Sequence, residues 1–296
     1  MKFQVGSTSR IGNRRTNEDS YAVLSNPHTV LLLIADGMGG HNGGKLASET
    51  FIQTVERLFN KQTGPIEDPV SFLREAVLKA HDQINAAGAA HSPPLDPRTT
   101  CVLCLIQSGY AWWAHLGDSR LYLFRHGEAI FRTRDHSRVE SLLQQGLITQ
   151  QEVRDHPYRN HITRCLGGPS KPASITLSKA IQLQMGDILL LCSDGLWSGM
   201  RTKEIAEKLT DEPLDELASN LASAAEEIAY PKSDNITLVL LRWLSHATDQ
   251  PPPEEKRPAK QEDVPEFVPP QEQDDISRAI SDVQAIFSQY EKELNS

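Results

Sequence analysis

The chain has 296 residues and a formal net charge of −9, with 39% apolar and 23% charged residues. This composition is typical of a soluble globular protein with one large core, and no apolar run approaches the length needed to span a bilayer. The sequence contains no basic stripe, so nucleic acid is not expected as the main partner. The N-terminus lacks the apolar stretch of a secretory signal, and we therefore expect a cytoplasmic protein.

Short apolar runs in the first 244 residues predict β-strands, because they are rich in aliphatic and aromatic residues and end at polar turns. They lie at residues 30–37, 99–106, 111–118, 119–125, 187–195 and 236–244. Helical spacing of apolar residues appears at about 44–60, 69–86 and 214–229. Since strands mostly follow one another directly and helices come in blocks, the order favours a layered α+β architecture over regular βαβ winding.

The C-terminal region has a different composition. Residues 246–296 carry 12 acidic and 5 basic side chains, and thus most of the negative charge. Residues 245–272 are rich in proline and acidic residues and cannot bury enough apolar surface to fold, which predicts a flexible linker. Residues 273–296 space their apolar side chains by three and four, which predicts an amphipathic helix. Two interpretations stand for this helix: it docks on the preceding domain, or it binds a partner.

Four cysteines do not make a disulfide framework in a chain of this length. Cys101 and Cys104 form a C-x-x-C, but they lie in a run that reads as a strand. Residues three apart on a strand point to opposite faces, so the pair is not expected to share a metal or a disulfide. We interpret them as small core residues.

Five aspartates stand where an apolar run meets a turn. They are Asp19, Asp36, Asp118, Asp194 and Asp234. A carboxylate beside a buried strand is costly unless it is paired, hydrogen-bonded or bound to metal. If the strands lie side by side, the aspartates converge into an all-oxygen cluster, which suits hard cations such as magnesium or manganese.

Four of the five aspartates, each taken by itself, also have a simpler interpretation. Asp36-Gly37 and Asp194-Gly195 could be turn formers, and Asp118 and Asp234 could each form a local turn through the side chain. The glycines within residues 37–44 could suggest a phosphate-binding loop, but the Lys-Ser/Thr of a nucleotide-binding loop is missing. The hypothesis of a metal site therefore depends on the five aspartates together.

Eight motifs, taken in order, resemble those of the metal-dependent protein phosphatases of type 2C, over residues 6–241. They are RRTNEDS (14–20), ADGMGGHNGG (35–44), TT (99–100), HLGDSRLYLFR (115–125), DHS (135–137), ITRCLGG (162–168), LLCSDGLW (190–197) and SDNITLVLL (233–241). The resemblance is to the bacterial branch, because eukaryotic members usually have a histidine where Met38 stands. It implies two antiparallel β-sheets packed as a sandwich, flanked by α-helices, in a catalytic domain of residues 1–244 with a flap at about 136–175.

The resemblance also implies two central Mg²⁺ or Mn²⁺ ions and a weaker third ion. It assigns Asp36 and the Gly37 carbonyl to the central pair, with Asp194 and Asp234 as further ligands. Glu18 would be a ligand through water, and Asp19 would support the cluster.

Other residues receive roles around that centre. Asp118, together with Asp194, would hold the third ion, and Asn235 would orient Asp234. Arg14 stands at the family's position for a phosphate-binding arginine, and Arg15 is the less favoured candidate.

The implied reaction is hydrolysis of phosphoserine and phosphothreonine in proteins, with a water between the two central ions attacking phosphorus in line. His41 could protonate the departing oxygen as general acid, and a water on the third ion could do the same. The expected partners are phosphorylated proteins and a bacterial Ser/Thr kinase. The alternative is a catalytically weak sensor or adaptor that uses the tail helix for docking, but none of the metal aspartates is missing.

Two other catalytic chemistries do not fit the residues. A cysteine-based phosphatase needs an arginine where Lys171 follows Cys165. Asp135, His136 and Ser137 are consecutive and are not expected to face one another as a triad. We expect the four tryptophans to be core or flap-edge aromatics.

Overall fold

The computed structural model describes residues 1–38, 43–149, 151–153, 156–169 and 174–246. The amphipathic helix predicted at 273–296 and most of the linker predicted at 245–272 lie outside these residues. Within the described part of the chain, no helix has the length and apolar character needed to cross a membrane.

Two antiparallel sheets form the centre of the molecule. The first sheet has the strand order β1 (Phe3–Arg10), β14 (Ile236–Trp243), β13 (Ile188–Cys192), β8 (Arg120–Arg125) and β9 (Glu128–Arg132). The second sheet has the order β11 (Thr176–Leu177), β7 (Tyr110–Leu116), β6 (Cys101–Gln107), β3 (Thr29–Ala35) and β2 (Ser20–Ser25), and β12 (Ile181–Gln182) also pairs with β7.

A third, small sheet lies beside them. It consists of β10 (Leu166–Gly167), β5 (Arg98–Thr99) and β4 (Gly37–Met38). This sheet was not predicted, because strands of two residues have no periodicity to detect. It matters for the site, since β4 follows Asp36 directly.

Helices cover the outer face of each large sheet. The second sheet is covered by α1 (Gly43–Phe59) and α2 (Pro69–Ala89), and the first by α4 (Asp194–Gly199), α5 (Thr202–Lys208) and α6 (Leu214–Ala229). The short α3 (Arg138–Gln144) belongs to the predicted flap. Asp68 caps the start of helix α2, because its carboxylate accepts hydrogen bonds from the Ser71 amide (2.9 Å) and hydroxyl (2.7 Å).

The apolar core has three layers. One lies between the sheets and includes Leu32 and Leu189, one lies under α1 and α2, and one lies under α4 to α6. The predicted α+β sandwich with outer helices is therefore confirmed. Cys101 packs toward α1 and α2 whereas Cys104 packs between the sheets, so the two thiols face opposite layers as expected.

Candidate functional site

Four of the five aspartates stand in turns or loops beside strand ends, as the sequence predicts. Asp19 precedes β2, a strand of the second sheet. Asp36 links β3 of the second sheet to β4 of the small sheet. Asp118 lies in the turn from β7 to β8, and Asp234 precedes β14. Asp194 was expected at the end of a strand, but β13 stops at Cys192 and Asp194 is the first residue of α4, where the helix dipole favours a negative charge.

The antiparallel register places these strand ends side by side within each sheet. In the second sheet β2 begins where β3 ends, because Ser20 pairs with Ala35. In the first sheet β13 ends where β8 begins, because Cys192 pairs with Arg120. These ends of the two sheets lie next to each other, so carboxylates from both sheets come together.

The electrostatics show how close the carboxyl groups are. Burial raises the pKa of Asp36 well above its ordinary value, and the negative charges of the other four aspartates, Asp19 first among them, raise it further. The pKa of Asp194 is raised in the same way, by burial and then by Asp118 and Asp234. Such a cluster needs positive charge to hold all its carboxylates ionised near neutral pH.

Three of these carboxylates carry an oxygen without a hydrogen-bond partner among the described residues. The atoms are Oδ1 of Asp19, Asp118 and Asp194, all buried. No set of three acidic, histidine or cysteine side chains in the described ranges could hold an ion unaided. Hard cations take backbone carbonyls and water as well as carboxylates, so the unpartnered oxygens and the crowded charge fit Mg²⁺ or Mn²⁺ held by few side chains.

Glycines let the backbone approach Glu18 closely. A Cβ on Gly37 would lie 2.3 Å from the Gly44 carbonyl oxygen, and a Cβ on Gly44 would lie 2.1 Å from Glu18 Oε2. The Ser48 hydroxyl donates to the Glu18 carbonyl at 2.5 Å. The start of α1 thus packs closely against both β4 and Glu18.

Two adjacent threonines hold Asp36 in place. Its carbonyl accepts from the Thr99 hydroxyl (2.8 Å) and the Thr100 amide (2.9 Å), and its amide donates to Thr100 Oγ1 (3.1 Å). Thr100 Oγ1 also lies 2.7 Å from Ser119 Oγ, next to Asp118. We had not predicted these threonines as site residues, although the Thr-Thr pair was one of the matching motifs.

Asp19 is tied to the opposite sheet. The Ser193 hydroxyl donates to Asp19 Oδ2 at 2.7 Å, and Lys45 Nζ donates to the Asp19 carbonyl at 3.0 Å. Burial raises the pKa of Asp19 to about 6, although the hydrogen bond from Ser193 favours the ionised form.

Asn235 uses its whole side-chain amide. Oδ1 accepts from the Glu18 amide (2.8 Å), and Nδ2 donates to the carbonyls of Ile11 (2.8 Å) and Thr16 (3.0 Å). These bonds hold the loop that carries Arg14 against the start of β14. Arg14 is more than half exposed, and its Nη2 donates to Asp234 Oδ2 at 2.5 Å.

Asp118 lies beside a buried ion pair. Burial raises its pKa to about 7, with a further contribution from the charge of Asp135. Arg120 donates to both oxygens of Asp135, at 2.8 and 2.6 Å, and its guanidinium carbon lies 3.7 Å from the centre of the Trp197 ring. The Trp197 indole donates to the Asp118 carbonyl at 2.9 Å.

Asp135, His136 and Ser137 have three separate partners, so they are not a triad. Ser137 Oγ accepts from the amide of Glu140 (3.2 Å) and begins α3. His136 Nδ1 accepts from the Gly117 amide at 3.2 Å, and burial lowers the pKa of this imidazole to about 2. The segment thus leads into α3, within the range where we predict the flap.

The remaining predicted groups divide between core and undescribed residues. Trp112, Trp113 and Trp243 are buried in the core, and Trp197 is half-buried beside Asp118. His41 lies outside the described residues. Its role as general acid therefore stays a prediction.

The family described as protein phosphatase 2C matches residues 7–230. The serine/threonine protein phosphatase PstP of Mycobacterium tuberculosis is 34% identical over 77% of this chain and 42% of its own length. The serine/threonine phosphatase stp of Listeria monocytogenes is 31% identical over 79% of this chain and 93% of its own length. The chain thus spans about two fifths of the mycobacterial relative and nearly all of the listerial one.

Solved structures with the same fold include those of bacterial serine/threonine phosphatases. The crystal structure of the Mycobacterium tuberculosis phosphatase PstP/Ppp has a TM-score of 0.72 and 33% identity, covering 82% of this chain and 99% of that one. A structure of the catalytic domain of PstP in complex with two manganese ions has a TM-score of 0.69 and 32% identity, with coverage of 82% and 99%.

Proposed function

The chain belongs to the protein phosphatase 2C family of metal-dependent serine/threonine protein phosphatases. From this premise we propose that its catalytic domain, residues 1–244, hydrolyses phosphoserine and phosphothreonine in proteins with Mg²⁺ or Mn²⁺. The observation that carries the proposal is the partly buried carboxylate cluster, whose mutual repulsion and unpartnered oxygens call for divalent cations.

Divalent ions held here would lower the pKa of a bound water and would neutralise charge on the phosphoryl oxygens. Asp36, Asp194 and Asp234 and the Gly37 carbonyl are our proposed holders of the central pair, with Glu18 acting through water. Asp19, bonded to Ser193, holds the cluster from the other sheet. Asp118 and Asp194 form the proposed third site. Asn235 orients Asp234, because the Asn235 backbone N–H donates to Asp234 Oδ1 at 2.8 Å.

Arg14 is the proposed phosphate-binding residue. Its planar guanidinium can offer two parallel N–H donors to two phosphoryl oxygens, and it is exposed at the rim of the cluster. Its bond to Asp234 points the side chain toward the carboxylates. Arg14→Ala should therefore raise KM for a phosphopeptide more than it lowers kcat. His41 stays our proposed proton donor to the departing oxygen, with a water at the third site as the alternative.

The test is hydrolysis of p-nitrophenyl phosphate and of a phosphothreonine peptide by the full chain with Mn²⁺. We expect activity that excess chelator abolishes and that Asp36→Ala lowers by at least about a thousandfold, because the central ions lose a shared ligand. Activity that survives either treatment would exclude the mechanism.

Asp187 provides a matched control. It is a buried aspartate at the opposite end of β13, where it binds Arg125 at 2.8 and 2.7 Å. Asp187→Asn should lower the unfolding temperature but leave kcat and the manganese requirement unchanged. The comparison separates loss of a buried charge from loss of a metal ligand.

The tail and the partners complete the proposal. Residues 245–272 would be a flexible linker, and residues 273–296 would be a docking helix. The protein substrates would be phosphorylated by a Ser/Thr kinase. The phosphatase would act in the cytoplasm. In the same assay a chain ending at residue 245 should keep its activity on the phosphothreonine peptide. A drop in that activity would argue that the tail helix docks on the catalytic domain.

A further inference from the structure

The turn that carries Asp118 is held by side chains from three directions. Gly117 has φ +99°, and a Cβ there would lie 2.5 Å from Thr100 Cγ2, so the turn packs tightly against the start of β6. Its two remaining contacts come from residues with no role in the proposed chemistry: Trp197 on α4 and His136 at the root of the flap.

Trp197 is itself fixed on two sides. Its indole N–H donates to the Asp118 carbonyl at 2.9 Å, while its ring lies against the guanidinium of Arg120 at 3.7 Å. Arg120 is held by two bonds to Asp135 and by one to the Tyr122 hydroxyl, at 3.0 Å. Because Trp197 lies three residues after Asp194 on α4, the indole connects the two aspartates of the proposed third site.

His136 holds the other end of the turn. Its Nδ1 accepts from the Gly117 amide at 3.2 Å, and its Nε2 lies 2.9 Å from Thr176 Oγ1. The ring stacks on His115, with centroids 4.5 Å apart and planes 7° from parallel. The His136 amide also donates to the Gly117 carbonyl at 2.8 Å. Both polar groups of Gly117 are therefore bonded to one residue.

We propose that Trp197 and His136 are positioning residues that fix the Gly117–Asp118 turn, so that the unpartnered carboxylate oxygen of Asp118 stays directed at the cluster shared with Asp194. They act through Asp118 and do not touch substrate. The inference rests on the proposed function, since it assigns Asp118 a part in the reaction.

The first test is Trp197→Phe, which keeps an aromatic ring against Arg120 but removes the N–H donor to Asp118. We expect kcat to fall about three- to tenfold at fixed Mn²⁺ with KM unchanged, which is the effect of one lost hydrogen bond. In a calorimetric Mn²⁺ titration, the weak class of sites should lose affinity by a similar factor while the tight class keeps its affinity.

Trp243→Phe is the matched control. Trp243 is buried in β14, and its indole N–H has no hydrogen-bond partner among the described residues. The same substitution there should change the unfolding temperature but neither kcat nor the weak Mn²⁺ sites. An equal loss of kcat in both variants would overturn the proposal.

The second test uses two substitutions of His136, in case Trp197→Phe does not fold. Asn carries an acceptor oxygen close to the place of Nδ1, whereas Phe keeps the stacked ring and has no acceptor. His136→Asn should retain most of kcat, and His136→Phe should lose about three- to tenfold. The opposite order would overturn the proposed role of His136.

A double-mutant cycle with Asp118→Asn decides between positioning and general structural support. If Trp197 acts through Asp118, Trp197→Phe should lower kcat no further in the Asp118→Asn background. An equal fold-loss in both backgrounds would overturn the inference. A wild-type chain that is inactive with Mn²⁺ would instead refute the proposed function, while the Mn²⁺ titration would still test the positioning of Asp118.

Discussion

Asn235 illustrates, at the scale of single residues, why the site contains an amide among its carboxylates. The side chain must accept from the Glu18 amide and donate to two carbonyls, those of Ile11 and Thr16. A carboxylate could not donate, and it would add to the negative charge of the cluster. The sequence motif placed Asn235 beside Asp234, but the two distant carbonyls that it binds were not predictable from that motif.

Replacing Asn235 with Ala should lower the free energy of unfolding by about 2–3 kcal/mol, because one buried amide and two carbonyls lose their partner. The loop with Glu18 and Arg14 should then move, so activity should fall as well. Urea denaturation and the phosphopeptide assay measure the two effects.

Asn85→Ala is the control for this substitution. Asn85 is half-buried on α2, and Nδ2 bonds to His81 Nε2 at 3.0 Å. Asn85→Ala should lower the free energy of unfolding less than Asn235→Ala does, since alanine favours the helix, and it should leave activity unchanged. If the Asn235→Ala variant had the same urea midpoint of unfolding as the wild type, the hydrogen bonds of Asn235 would not contribute to stability.

At the scale of secondary-structure elements, the contact between α1 and β4 leaves no room for an added side-chain atom. A helix start, a two-residue strand and Glu18 meet there without room for a side chain on Gly44. The glycines were visible in the sequence as a tight turn near a metal site. Their tight packing against Glu18 appears only in the structure.

Gly44→Ala should therefore push α1 away from β4 and displace Glu18. We expect a loss of about 1–3 kcal/mol of stability from overpacking and a weaker affinity for Mn²⁺, measured by thermal unfolding and calorimetry. Gly64→Ala is the control, since a Cβ at Gly64 has no atom within 4 Å. That variant should be neutral or slightly stabilising, because alanine reduces the freedom of the unfolded chain. Similar behaviour of the two variants would contradict the packing argument.

At the scale of the whole molecule, the sandwich brings like charges together at the edge where its sheets meet. Burial and repulsion raise the pKa of Asp118 to about 7, and they raise the pKa values of Asp36 and Asp194 well above their ordinary value of 3.8. A carboxyl with a higher pKa in the folded state contributes stability that is present below its unfolded pKa. That stability is lost as the pH rises through the folded value.

Metal-free protein should therefore lose stability as the pH rises from about 6.5 to about 7.5, through the raised pKa of Asp118. Buried His115 and His136 have lowered pKa values and act in the opposite sense, but mainly below their ordinary pKa of 6.5, so this window isolates the carboxylates. Mn²⁺ should raise the unfolding temperature more at the upper pH, where the carboxylates are ionised. Scanning calorimetry with chelator or Mn²⁺ measures both trends.

Asp118→Asn is the variant that checks the cause. It removes one of the titrating carboxyls, so the decline in the unfolding temperature of the metal-free protein should be shallower than in the wild type. A metal-free wild type whose unfolding temperature rises across the same window would contradict the raised pKa values.

The α+β class, the main strands and helices, and the aspartates beside the strand ends were all predictable from the sequence. These features are local: apolar periodicity reports which face of a strand or helix is buried, and alternation alone placed Cys101 and Cys104 on opposite faces. The family resemblance assigned roles to the same aspartates, and the family itself is confirmed by the match over residues 7–230.

The groups that support those aspartates could not be identified without the three-dimensional structure. Ser193 meets Asp19 and Trp197 meets Asp118 across separations of 174 and 79 residues, and neither contact has a periodic signature in the chain. The small sheet behind Asp36 likewise has strands too short to show a pattern. Local spacing identifies the carboxylates because each stands beside its own strand, whereas their partners are chosen by the packing of two sheets against each other.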